Sequence, residues 1–156
     1  MSKAFTRESD DLPERAALKR PASALPPGAK NYFTRDGVDA LRRELEKLES
    51  EPDSPSIRQR IFEIQQSLQS AVVTPSPPPP WDQVLFGAIV TVRDQRGEES
   101  TYRIVGVDEM DIDRGWISWL SPLAKALLKA RVGNQVRFRA PGGDQSLEII
   151  AVRYEP

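Results

Sequence analysis

Carboxylates are the groups in this chain best placed to do chemistry, and they gather in two runs. One is Glu49, Glu51 and Asp53 at a Pro-containing turn; the other is Asp108, Glu109, Asp111 and Asp113. Clustered carboxylates can hold a hard divalent cation. Asp111 and Asp113 form the Asp-x-Asp step of calcium loops, but no EF-hand spacing follows. For Glu49, Glu51 and Asp53 the ordinary account is a solvated turn that caps a helix. The 156 residues contain no His and no Cys. That inventory excludes disulfides, thiolate metal sites, Cys nucleophiles and Ser-His relays. No catalytic residue, resident metal site or cofactor is read from these residues.

Charge narrows the partner. Lys plus Arg number 22 against 23 acids, a formal net charge of −1, which argues against affinity built mainly on phosphate neutralisation. Arg93, Arg96, Arg137 and Arg139 alternate with apolar residues, the pattern of the solvent side of a half-buried sheet. Contact with nucleic acid is therefore expected to be weak or indirect. The opening MSKAFTRESDD lacks the apolar core of a signal peptide, and no apolar run reaches membrane-spanning length. A cytoplasmic protein with no membrane partner is the expectation.

The elements that must position these residues fall into four segments. Residues 1–30 mix charge with Ala and Pro without a period and read as a flexible leader. Residues 31–73 read as a helical hairpin. Val38, Leu41, Leu45 and Leu48 make one apolar seam, Ile57, Ile61, Ile64 and Leu68 the other. Thr34 is the expected cap of the first helix; Asp53 or Ser54 followed by Pro55 starts the second. Residues 74–80, Thr-Pro-Ser-Pro-Pro-Pro-Pro, read as a stiff polyproline spacer. Residues 81–156 read as a small antiparallel β domain with one helix, opened by Ser121-Pro122 and ended by Gly133. Its first strand is expected at residues 84–92. The fold class is α+β. Of Trp116 and Trp119, one is expected in the core and the other at an interface.

The residues of the last segment are specific enough to carry a resemblance. Val84-Leu85-Phe86-Gly87-Ala88, Tyr102-Arg103-Ile104-Val105-Gly106-Val107-Asp108-Glu109, Ile117-Ser118, Ser121-Pro122-Leu123-Ala124-Lys125-Ala126-Leu127-Leu128, Val132-Gly133 and Ala140-Pro141-Gly142-Gly143 occur in this order. The string resembles the C-terminal FKBP-like domain of the GreA/GreB transcription elongation factors. Tyr32 to Gly37 and Leu41 to Leu48 resemble the opening of their coiled coil. The region Ala126 to Lys129 leans towards GreB. The resemblance implies a protein that binds bacterial RNA polymerase at the rim of its secondary channel. There the family's coiled coil carries tip acids that help hold the polymerase's catalytic Mg²⁺ during cleavage of backtracked RNA. It also places the polymerase contact around Asp108, Glu109, Ser121, Pro122, Leu123 and Ala124, with Asp111 and Asp113 as weaker candidates.

Between the two seams the sequence departs from the family. Only Glu49 to Ser56 stand where the family carries a long polar stretch with a Gly-Asp…Glu-Asn tip, so about 28 residues, roughly two heptads from each arm, are missing and the tip falls short by about 20 Å. Metal coordination does not tolerate such a gap. A similarly short hairpin is a feature of Rnk, a Gre-like protein. The expectation is a polymerase-binding regulator that does not stimulate cleavage and competes with full-length Gre factors. The alternatives are a cleavage factor working through Glu49, Glu51 and Asp53, and a nucleic-acid-binding module using the leader and the arginine face.

Overall fold

The computed structural model describes residues 25–155; the leader expected at 1–30 lies outside these residues as far as residue 24. A short strand, β1 (Asn31–Phe33), leads directly into helix α1 (Arg35–Glu49). Thr34 caps α1 by accepting from the Gly37 amide at 3.0 Å. Asp36 in the first turn and Lys47 in the last complement the macrodipole. After a turn at residues 50–54, helix α2 (Pro55–Ser70) starts with Ser54 as its cap, accepting from the Ile57 amide at 3.2 Å, and Pro55 in the first turn.

The two helices pack their seams together. Phe33, Val38, Leu41 and Ile64 form the buried centre, with Leu45, Leu48 and Leu68 packed against it. Ile57 and Ile61 are only half-buried, so the seam is tightest at the base and opens towards the turn. Midway along, the Arg60 guanidinium grips both Glu44 oxygens at 2.8 and 2.9 Å. This bidentate pair raises the Arg60 pKa through the Glu44 hydrogen bonds, against a partial burial cost.

The ends of the hairpin are joined by an element that seam periodicity does not reveal. Strand β2 (Ala71–Val73) follows α2 without a break and pairs in parallel with β1, matching Asn31 with Ala71, Tyr32 with Val72 and Phe33 with Val73. Thr74 then donates to the Phe33 carbonyl at 3.0 Å.

The second core belongs to a five-stranded sheet. Its strands are β3 (Ile89–Arg93), β4 (Glu99–Val105), β5 (Trp116–Ser118), β6 (Gln135–Ala140) and β7 (Gly143–Arg153), in spatial order β5-β4-β3-β7-β6. Three of the four pairings are antiparallel, but β5 runs parallel to β4, with Arg103, Ile104 and Val105 facing Trp116, Ile117 and Ser118. This corrects the expectation of an antiparallel sheet. Between β4 and β5 the chain makes two 3₁₀ turns, Val107–Glu109 and Ile112–Arg114, and returns to run alongside β4. Residues 84–88, expected as strand, form a turn before β3: Gly87 takes φ 88°, and its amide donates to Ile104.

Helix α3 (Pro122–Leu127) lies against the inner face of the sheet. The Ser121 hydroxyl caps it by accepting from the Ala124 amide at 3.1 Å. It ends at Leu127, before the left-handed Lys129 (φ 73°) and well short of Gly133. Val84, Val90, Val92, Ile104, Leu127 and Ile149 are among the side chains that fill this core. Among the described residues, no helix is long and apolar enough to cross a membrane.

Candidate functional site

The two acidic runs end in different environments. Glu49 closes α1 and Glu51 sits in the turn, both exposed. Asp53 is also exposed and pairs with Arg58, one turn into α2. Among the described residues, no three Asp or Glu carboxylates gather closely enough to hold a metal ion, at this turn or elsewhere.

The second run is divided. Glu109 is only 8% exposed, and its carboxylate faces inward. It accepts from the Thr34 amide at 3.0 Å, from the Thr34 hydroxyl, and from the Gly106 amide at 2.7 Å. Glu109 therefore fastens the cap of α1 to the 3₁₀ turn after β4. Burial pushes its pKa up, and the Thr34 and Gly106 bonds and the Arg103 charge offset this only in part. Where an outside partner was expected for Glu109, the structure turns its carboxylate into the hairpin junction, and three donors there engage its two oxygens. Asp108, half-buried beside it, accepts from the Asn31 side chain at 3.3 Å and bonds Ser67. Burial raises its pKa as well, opposed by those bonds. Asp108 thus ties the turn to β1 and α2, while Glu109 ties it to α1.

Two glycines allow this approach. A Cβ on Gly37 would lie 1.9 Å from Glu109 Oε1, and one on Gly106 would lie 1.9 Å from the Tyr32 carbonyl oxygen. Arg103, a residue that sequence reasoning passed over, completes the junction. It is 9% exposed, and its Nη2 pairs with Asp36 at 3.2 Å. Arg103 alternates with Tyr102 and Ile104, which face the sheet core, so it lies on the opposite face of β4; the base of the hairpin covers that face locally, which no local pattern announces.

Around α3 the candidates also separate. Ala124 is fully buried at 0% exposure, so it belongs to the sheet core and not to a surface patch. The Ser121 hydroxyl is engaged in capping, Leu123 packs against the core, and Pro122 is exposed. In the connection between β4 and β5 the exposed apolar residues are Met110 and Ile112, the latter 72% exposed. Asp111 accepts from the Asp113 amide and pairs with Arg114, while Asp113 is exposed.

Both tryptophans are half-buried, and Trp119 is the one that packs against the sheet core. The guanidiniums of Arg103 and Arg114 both stand over Trp116, at 5.3 and 5.0 Å from its ring centre. Trp119 meets Tyr32 edge-on at 5.2 Å, another link between the sheet and β1. Arg93, Arg96, Arg137 and Arg139 are all exposed, and Arg93 and Arg139 are answered by Glu99 and Asp144 on adjoining strands. The face is mixed in charge, not a basic track.

Comparison with known proteins gives a consistent answer. Residues 78–154 match the family model described as the C-terminal part of transcription elongation factor GreA/GreB. Transcription elongation factor GreB of Neisseria meningitidis serogroup B (strain MC58) is 34% identical over 154 aligned positions, covering 80% of this chain and 94% of the relative. Since 80% of 156 residues is about 125, about 29 of those positions are filled by the relative alone. Transcription elongation factor GreA of Thioalkalivibrio sulfidiphilus is 36% identical over 157 positions, covering 81% of this chain and 99% of the relative. Among solved structures, the GreA/GreB elongation factor of Nitrosomonas europaea aligns with 80% of this chain and 100% of its own, at 24% identity and a TM-score of 0.45. The chain belongs to the GreA/GreB family of transcription elongation factors.

Proposed function

We propose that this protein binds bacterial RNA polymerase at the rim of the secondary channel and regulates transcription without stimulating transcript cleavage. The observation that carries this reading is the length of the hairpin. Its helices have 15 and 16 residues, which makes each arm about 22–24 Å long at 1.5 Å per residue. The positions that the Neisseria relative alone fills amount to about 14 residues per arm if they lie in the hairpin, or roughly 20 Å of reach. Carboxylates act on a metal only at bonding distance, so side-chain movement does not make up such a difference. The acids at the turn also lack a metal-binding arrangement of their own: Asp53 is turned to Arg58.

On this reading the sheet domain, FKBP-like in architecture, does the docking. The contact is made by the exposed connection between β4 and β5, with Met110 and Ile112 flanked by Asp111 and Asp113, and by the exposed Pro122 at the start of α3. The short coiled coil occupies the channel mouth and excludes full-length Gre factors. The protein performs no catalysis of its own.

Stalled, backtracked elongation complexes carrying labelled RNA test the proposal. With Mg²⁺, the protein alone is expected to leave the RNA intact and to suppress cleavage by an added full-length Gre factor. Shortened RNA from the protein alone, lost in Asp53→Ala or Glu51→Ala, would overturn the reach argument. No effect on the Gre factor at saturating concentration would overturn the docking.

A further inference from the structure

Between the base of the hairpin and the outer face of the sheet lies a cleft of about 300 Å³, at the small end of the range for small-molecule sites. Thr34, Arg35 and Asp36, the N-terminus of α1, line one side; Arg103 lines another; Trp81 and Phe86 supply apolar wall.

Two features of this cleft favour a negative group. The first is the helix terminus. The Gly37 amide is taken by the Thr34 hydroxyl and the Val38 amide by the Thr34 carbonyl. The amides of Arg35 and Asp36 have no acceptor among the described residues, and they stand at the positive end of a 15-residue helix.

The second is Arg103 itself. Nine-tenths of this residue is buried, yet of its five N–H groups only one on Nη2 has a partner, Asp36, and Nε is buried with none among the described residues. Asp36 lines the cleft, so the guanidinium end of Arg103 borders it. A buried guanidinium with donors to spare is matched by an oxyanion that takes two parallel N–H bonds.

Local charge is even. The acids Asp36 and Glu155 on the cleft pair with Arg103 and Arg153, and Glu109 faces Arg103 from the junction. Arg35, exposed with no ion-pair partner among the described residues, brings the cations level with these three acids.

We propose that this cleft binds the oxyanion end, phosphate or carboxylate, of a small organic molecule. The oxygens meet the Arg35 and Asp36 amides and the Arg103 guanidinium, and the organic part rests on Phe86 and Trp81. Asp36 is the internal competitor: it takes the same guanidinium that the ligand needs. This site is independent of the hairpin's reach and goes beyond the function proposed above.

Amide-resolved NMR of the full chain tests it, with inorganic phosphate, phenyl phosphate and benzoate as separate probes. Saturable shifts confined to the Arg35 and Asp36 amides and the Arg103 Nε–H are expected, stronger for phenyl phosphate than for phosphate. A benzoate response without a phosphate response would identify the anion as a carboxylate. Two substitutions act in opposite directions. Asp36→Asn removes the competitor from a half-exposed position and is expected to tighten binding roughly two- to fivefold, while Arg35→Ala weakens it. Non-saturating shifts spread over all surface arginines would overturn the proposal, since they indicate screening alone. So would Asp36→Asn binding that is unchanged or weaker.

Discussion

Replacing Gly37 by Ala should destabilise the protein, although helix propensity alone predicts a gain. Gly37 lies in the first turn of α1 with ordinary helical backbone, where Ala over Gly is worth about 0.5–1 kcal/mol. The added Cβ, however, would come within 1.9 Å of Glu109 Oε1, 2.3 Å of Cδ and 2.6 Å of Cγ. Either α1 moves off the turn or the carboxylate leaves, and the latter strands the buried Thr34 and Gly106 amides that it serves. Overpacking costs about 1–3 kcal/mol, and each stranded donor about 1–3 kcal/mol more. After subtracting the propensity gain, a net loss of about 2–4 kcal/mol is expected, or roughly 5–15 °C in Tm for a chain of this size. Urea denaturation followed by tryptophan fluorescence gives the number. Repeating it in a Glu109→Ala background isolates the collision, because the three atoms nearest the new Cβ are then gone, and Gly37→Ala should stabilise by about 0.5–1 kcal/mol. A Gly37→Ala chain at least as stable as its parent, or an equal effect in both backgrounds, would refute the reasoning.

Acid should affect this junction in the direction opposite to that of an ion-paired carboxylate. Burial raises the pKa of Glu109 above 4.5 and of Asp108 above 3.8, so between these ordinary values and the raised folded ones the folded chain binds more protons than the unfolded chain. The stability contributed by protonation is full below the ordinary values and is lost as pH rises through the raised ones. The difference in unfolding free energy between the parent and an Asp108→Asn/Glu109→Gln variant should therefore fall as pH rises across that window; a difference that grows instead would contradict the burial argument. Tyr154→Phe should cost about 1–3 kcal/mol. Its hydroxyl donates to the Gln83 carbonyl at 2.6 Å and accepts from the Leu85 amide at 2.9 Å, holding the segment before β3. An unchanged denaturation midpoint would show that water replaces the hydroxyl.

What the sequence discloses is what local chemistry specifies. The helix starts are legible because Thr34, Ser54-Pro55 and Ser121-Pro122 are capping signals that act within three residues. The seams are legible because 3.5-residue periodicity is a property of one segment. The β1–β2 ladder is not, since three-residue strands on either side of a whole hairpin carry no periodic signal. The parallel partner of β4 is hidden for a related reason: two 3₁₀ turns, not an α-helix, return the chain beside it. The site is least legible of all. A run of acids reads as a solvated loop, and only the fold shows that Glu109 serves three donors at a junction while its neighbour Asp113 remains in water. Ala124 illustrates the converse, a small residue that could sit on a surface or in a core and is assigned only by what the sheet places above it.

The parallel ladder between β1 and β2 also bears on how such a chain changes over generations. Entry to and exit from the hairpin are locked side by side, with Phe33 opposite Val73 and Thr74 closing the ladder. Everything between them is an excursion that returns to its starting point. Heptads can then be deleted from or inserted into the distal part of both arms in matched pairs without shifting the register at the base. Loop-closure entropy grows only slowly with the length enclosed, so the anchoring contacts bear little extra load when the arms lengthen. The base acts as an interchangeable mount: a longer arm grafted between residues 45 and 64 should inherit the same attachment to the sheet.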